Sequence, residues 1–287
     1  MQFNVTLADP SLVTPAFDDV VTGVDAALRD LGYTTTNAGG HAPEHIDVVF
    51  GHYVAPERFP DRSVVYQLEP VCGHTLRMGH VALDALRPNV VWDYSRLNVE
   101  QLRARGVHAH YVPIGHHPCL QRVPSMPEQE VDVLFYGRGT QRRLAILSAL
   151  RRAGLRTIHV GHGIHGSALD QIIGSAKVVL NLHALTEYRV LETVRVGYLL
   201  SNRKAVVAEV GHSDDDDDEL GGGIAAVPYP QLVDACVDLV RDDAARAELE
   251  AAGFAAISRR PTTDILAGVL HTAEALDPLA GAWGPRY

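Results

Sequence analysis

The sequence predicts an α/β protein built from doubly wound parallel sheets. Short apolar runs alternate with helical patterns along most of the chain, as the crossovers of a parallel sheet require. The alternation breaks once, at HHPCLQRVPSMPEQE (His116 to Glu130), where three prolines fall together and periodicity is lost, and then it restarts. The chain has 287 residues, of which 46% are apolar, so one large or two medium domains can each fill a core. The expected division is a first domain over 1–118, a linker over 119–130, a second domain over 131–265, and a C-terminal helix and tail over 266–287 returning to the first domain.

In the first half, FNVTLA from Phe3 reads as a strand. Pro15 to Leu31 reads as a helix, with Thr14 as N-cap before a proline at N1 and Gly32 as its stop. IDVVFG, SVVYQLE and NVVWDYS are further strands, each ending in polar residues where the loops of an α/β sheet carry function. Ser95 caps a helix to Arg105, Gly106 ends it, and HAHYVPIG is a short strand. In the second half, VDVLFYG is a strand and Thr140 to Ala153 a helix. TIHVG is a strand, Ser167 to Gly174 a helix, and KVVLNLH a strand. Tyr188 to Leu200 is a helix and KAVVAEV a strand. GIAAVPY is a last strand, Pro230 to Phe254 holds one or two helices, and Asp264 to Leu276 a terminal one. No repeat at solenoid periods is present.

Composition narrows the class. The net charge of −10 and pI of 5.8 oppose general nucleic-acid affinity, which relies on Lys and Arg neutralising phosphates. Cys72, Cys119 and Cys236 form no CxxC pair, which fits a reducing compartment. The start MQFNVTLADP has neither the basic nor the apolar region of a signal peptide. No run approaches the length of a membrane span. A soluble cytoplasmic protein is the expectation. SDDDDDELGGG, Ser213 to Gly223, reads as a solvated acidic loop rather than a cation site, because adjacent aspartates in a glycine-rich loop rarely converge.

Two constellations carry chemistry. The first is FYGRGTQRR. A strand ends at Gly137, Arg138 follows, and a helix opens with Arg142 and Arg143. Free helix N–H groups and guanidinium forks suit phosphate oxygens. The GK[ST] of a P-loop and the third glycine of GxGxxG are both missing, so a tight turn with solvated arginines is the competing reading. The second constellation follows NLH. Glu192 and Arg195 share a helix face, and Arg189 sits three residues before Glu192. They form either a surface ion pair or a carboxylate placed to accept ribose hydroxyls.

LETVRVGYLLSNRKAVVAEVG resembles the donor-site segment of GT-B glycosyltransferases, and DVLFYGRGTQRR resembles the segment that opens their C-terminal domain. The run YQLE…VWDYS-N-x-x-x-L…VPIG-x-x-P, from Tyr66 to Pro118, is similar to that of compact group 1-like proteins related to spore-maturation and spore-coat transferases. The resemblance implies two Rossmann-like domains facing a cleft, with a nucleotide-diphosphate sugar on the second and the acceptor on the first. It implies Glu192 at the donor ribose, and Arg138 with Arg142 or Arg143 at the diphosphate. Gly137, His162, His183, Glu187 and Arg195 complete the expected donor set, and His116 is a further sugar contact. The chain departs from the retaining E-x7-E pattern: Ala184 stands where the first glutamate belongs, beside His183, and Glu187 is too close. An inverting enzyme needs a base in the first half, and Asp9, His52, Glu69 and Asp93 stand at strand ends. Arginines and a helix N-terminus can stabilise a leaving diphosphate without a metal. The paired histidines lack the partners of a zinc site. The expectation is a metal-independent glycosyltransferase with no cofactor beyond the sugar nucleotide. A GT-B epimerase or a non-catalytic nucleotide-sugar binder are the alternatives.

Overall fold

The computed structural model describes residues 1–11, 15–161, 163–188, 190–210, 220 and 222–276. The chain divides into two compact units. One comprises Met1–His117 with Pro261–Tyr287, and the other Pro118–Arg260.

The first unit holds a parallel sheet of β1 (Gln2–Leu7), β2 (Thr34–Thr36), β3 (Ile46–Phe50), β4 (Val64–Gln67), β5 (Val90–Asp93) and β6 (Ala109–Tyr111), in the order β2-β1-β3-β4-β5-β6. β3 is buried along its whole length, as a strand covered on both faces must be. α1 (Asp18–Asp30), α2 (Gly73–Arg77), α3 (Leu83–Leu86) and α4 (Arg96–Arg103) connect the strands. The expected helix from Pro15 begins as a 3-10 turn, Pro15–Phe17, before α1 takes over, and Thr14 lies outside the described residues. Ser95 caps α4 by accepting from the Asn98 amide. The polar strand β2 and the short helices α2 and α3 carry too little periodicity to be read from sequence.

The second unit contains β7 (Val131–Tyr136), α5 (Gln141–Arg152), β8 (Thr157–Val160), α6 (Gly166–Gly174), β9 (Ala176–Asn181), α7 (Thr193–Ser201), β10 (Ala205–Glu209), β11 (Ala225–Val227), α8 (Leu232–Arg241) and α9 (Asp243–Ser258). Its parallel sheet runs β11-β10-β9-β7-β8. Leu134 of β7 pairs with Ile158 of β8 on one side and Val179 of β9 on the other. One apolar layer, with Leu134, Val179 and Leu199, covers one face, and another, with Phe135, Leu147 and Leu180, covers the opposite face.

The segment 119–130, expected to be a linker, belongs to the second unit. Leu120 is buried in its core, and Asn202 Oδ1 accepts from the amides of Arg122 (2.8 Å) and Val123 (2.9 Å). Pro124 lies so close to α6 that a β-carbon on Gly174 would stand 2.7 Å from the Pro124 carbonyl oxygen. The chain then returns: α10 (Thr262–Val269) packs on α1, followed by a 3-10 stretch, Leu270–Leu276. No helix among the described residues is long and apolar enough to cross a membrane.

Candidate functional site

Strand order locates the site. The chain runs from β7 out to β8 and then back across to β9 on the other side of β7. The two crossovers therefore diverge between β7 and β9, and a crevice opens there at the carboxyl ends of the strands. Gly137 and Arg138 follow β7, Asn181 ends β9, and Glu209 ends β10. The N-termini of α5 and α7 lie on the loops leaving β7 and β9.

Glu192 is the hub. Tyr188–Leu200 was expected to be one helix, but helix begins only at Thr193, and Glu192 is its N-cap with a non-helical ψ of 68°. Its Oε1 accepts from Arg143 Nη2 at 2.7 Å, and its Oε2 pairs with Arg195 Nη1. The Glu192 side chain retains 23% exposure while that of Arg143 has 5%. Arg143 Nε donates to the Leu182 carbonyl at 2.7 Å and its Nη1 to the Arg138 carbonyl at 3.1 Å. Burial draws the Arg143 guanidinium below its ordinary pKa, opposed by Glu192.

Arg142 forms a forked pair with Glu209, donates to the His183 carbonyl at 3.2 Å and stacks 3.9 Å over the Tyr229 ring. Arg142 or Arg143 was expected at the diphosphate beside Arg138; the structure pairs both guanidinium groups with carboxylates and carbonyls. Arg138 is exposed. Glu209, Asn181 and Tyr229 belong to the site although sequence reasoning missed them. Their position at or after strand ends was the available signal.

Arg195 Nη1 also donates to Asn181 Oδ1 at 2.9 Å. Gly137 adopts φ of +128°, and a β-carbon there would stand 3.2 Å from Arg195 Nη2. The positive φ favours glycine there, and a β-carbon would make the Arg195 guanidinium give way by a few tenths of an ångström. The His183 amide donates to Glu209 Oε2 at 3.1 Å. Glu187 is exposed on the loop before Glu192, and His162 lies outside the described residues, as does most of the acidic run.

Among the described residues, seven buried side-chain polar atoms lack a hydrogen-bond partner. Four of them, Asn181 Nδ2, His183 Nε2, Thr193 Oγ1 and Arg195 Nε, belong to residues at or just after the end of β9 and in the first turn of α7. Folded chains satisfy nearly all such groups with protein or ordered water, so this cluster calls for a partner beyond the chain's own atoms.

The first-half candidates separate. Asp93 is fully buried and accepts from Ser95 N (2.9 Å) and Asn98 Nδ2 (3.1 Å), so it builds the β5–α4 turn and is withdrawn from the role of base. Asp9 pairs with Arg58 and caps Ser11. The His116 carbonyl accepts from Thr262 N at 2.8 Å, and burial lowers the His116 pKa, assisted by His117. His52 and Glu69 come together in one cavity at the carboxyl ends of β3 and β4. Among the described residues no group of three or more His, Cys, Asp and Glu is arranged to hold a metal ion.

No family model matches the chain. Two curated mimivirus proteins, both uncharacterised, are 27% and 26% identical over 114 and 113 residues, 39% of this chain in each case. The matches span 13% and 37% of those relatives. Among solved structures, HepE of Anabaena in complex with UDP has a TM-score of 0.62 at 12% identity, over 96% of this chain and 100% of that one. AviGT4, a glycosyltransferase of avilamycin A biosynthesis, has a TM-score of 0.59 at 17% identity, over 98% and 99%. T4 phage BGT in complex with UDP and Mn2+ has 0.60 at 9%, over 95% and 99%. The fold is that of the GT-B glycosyltransferases.

Proposed function

We propose that this chain is a glycosyltransferase that takes a sugar from a nucleotide-diphosphate donor, held by the second unit, and passes it to a small-molecule or peptidic acceptor. The observation that carries this reading is the set of four unpartnered polar atoms among three arginines at the crossover crevice. The fold supports it, since two of the solved structures that resemble the chain hold UDP.

In this reading Glu192 receives the ribose hydroxyls. Its carboxylate is held by Arg143 at one oxygen and Arg195 at the other and stays partly exposed, with lone pairs remaining to accept from a ligand. Arg138 and the first amides of α5 meet the diphosphate. Arg195 Nε and Asn181 Nδ2 supply further donors. When the sugar–phosphate bond breaks, negative charge develops on the departing nucleotide, and these fixed donors stabilise it. They take the part that a bound metal plays elsewhere.

The test is a thermal-shift screen with UDP, GDP, ADP, TDP and CDP and their sugar nucleotides. A ligand at about a hundred times its Kd adds about 2.7 kcal/mol to stability. One responsive base establishes the donor pocket, and no response to any nucleotide at saturating supply refutes it. Transfer or hydrolysis of the responsive sugar nucleotide then separates an enzyme from a binder. Sugar isomerisation without an acceptor would single out an epimerase.

A further inference from the structure

Strand β6 forms one edge of the first unit's sheet, and His108 leads into it. Side chains alternate in direction along a strand, so His108 and His110 share one face while the buried Ala109 points to the other. Register shows what lies on the histidine face. His110 is the partner of Trp92 on β5, and the Trp92 indole donates to Thr272 Oγ1 at 3.1 Å. The pair therefore stands beside the returning C-terminal segment, where His271 is near enough for its charge to act on His110.

The two imidazoles converge. His110 Nε2 lies 3.1 Å from His108 Nδ1, with ring centroids 4.8 Å apart and planes at 66°. Two neutral rings can share one hydrogen bond at that distance, and near the surface such a bond contributes little. Both nitrogens can equally face one cation. Metal–imidazole bonds of about 2.0–2.1 Å put two ligand nitrogens about 2.9 Å apart at a right angle and about 3.3 Å apart at a tetrahedral one. The spacing of the pair falls between these limits. His108 is exposed and His110 half-buried, so a hydrated ion can reach them. Burial lowers the His110 pKa, and His108, Arg103 and His271 add to the lowering, so this ring is uncharged at pH 7, the form that binds a metal. Arg103 itself is held on the backbone, with Nε donating to the Ala109 carbonyl at 2.9 Å.

We propose that His108 and His110 together chelate one divalent transition-metal ion, through Nδ1 of the first and Nε2 of the second, with water at its remaining positions. Because no set of three or more ligands is arranged among the described residues, the site is a two-histidine clamp open to solvent. Imidazole suits Cu2+, Ni2+ and Zn2+, with Cu2+ bound tightest. Mg2+ and Ca2+ take oxygen ligands and are rejected. The clamp is built wholly from the first unit, whereas the arginine-rich crevice is built wholly from the second, so it goes beyond the transferase reading and does not depend on it.

The test titrates full-length, tag-free protein with Cu2+ in a non-coordinating buffer, followed by calorimetry and electron paramagnetic resonance. The expected result is a saturable site whose copper spectrum shows coupling to two nitrogens, with weaker binding of Zn2+. An excess of about a hundredfold Mg2+ or Ca2+ should not displace the copper. His108→Ala and His110→Ala should each lower Cu2+ affinity by about tenfold or more, and the double variant should be within about threefold of either, because a chelate lost at one end is lost as a chelate. Neither ring is fully buried, so the melting temperatures of the metal-free variants should stay close to that of the wild type. Wild-type affinity in either single variant, or losses that add in the double variant, would overturn the proposal. So would displacement by Ca2+, which would assign the ion to carboxylates.

Discussion

Arg143 and Arg138 are adjacent to the same turn, yet the structure gives them different tasks, and substitution separates them. Arg143→Lys keeps the charge but loses the fork. One ammonium cannot at once hold the Leu182 carbonyl, the Arg138 carbonyl and Glu192, which Arg143 reaches at 2.7, 3.1 and 2.7 Å. If the lysine keeps Glu192, two carbonyls are left short of a donor at about 1–3 kcal/mol each. The second unit should then lose about 3 kcal/mol in urea unfolding. If the lysine instead keeps the carbonyls, Glu192 loses its Arg143 anchor, and a hydrogen bond to a charged group contributes about 1.5–3 kcal/mol, or roughly ten- to a hundredfold in affinity. Because Glu192 is assigned to the ribose, uridine and UDP should weaken by the same factor in calorimetric titrations. Arg138→Ala should weaken UDP and leave uridine unchanged. An Arg143→Lys protein that loses UDP affinity while holding uridine normally would refute the reasoning and put Arg143 on the phosphates.

Three further outcomes are expected. Gly137→Ala meets both the positive φ and the Arg195 guanidinium, so the second unit should lose about 1–3 kcal/mol by urea melt; an unchanged midpoint would show that the turn relaxes freely. Glu209→Gln leaves the largely buried Arg142 charge without its carboxylate, and a loss of about 3–5 kcal/mol is expected in the same assay, with a loss below 1 kcal/mol counting against the pair. The His52 pKa is lowered from 6.5 in the folded chain, so below pH 6.5 the unfolded chain binds more protons at this residue. The stability gap between wild type and His52→Gln should therefore shift against wild type as pH falls from 6.5 through the folded value, and a gap independent of pH would contradict the buried neutral ring.

The alternation of apolar runs with helical patterns was enough to place both sheets, because a strand covered on both faces and an amphipathic crossover leave unambiguous periods. Ser95 was legible as a cap for the same local reason, whereas Thr140, read as the first helical residue, is the cap of α5. The inside of the site was not. Arg143 meets Glu192 across 49 residues and Arg142 meets Glu209 across 67, and no local rule registers a pairing that only the sheet order creates. Glu209 ends a fully buried strand and reads as its last residue, not as a counter-ion. The helical period extended back to Tyr188, whereas the chain leaves helix at Glu192, whose carboxylate is held by two arginines. Asp93 and His52 look equivalent in sequence, each a polar residue at the carboxyl end of a strand. Their difference is whether the following turn consumes the side chain, as Asn98 and Ser95 do for Asp93, or leaves it unpaired.

The second unit is inserted into the first. The chain leaves the first unit after His117 and rejoins it at Pro261, and His116 and Pro261 lie side by side as a parallel bridge, with the Thr262 amide on the His116 carbonyl. During synthesis, residues 1–117 emerge without the helix that covers α1, while 118–260 emerge as a continuous stretch able to finish first. The amino-terminal unit is thus completed last, reversing the usual order of folding from the ribosome. A stop codon at Pro261 would spare the second unit's own sequence and still leave the first with α1 uncovered.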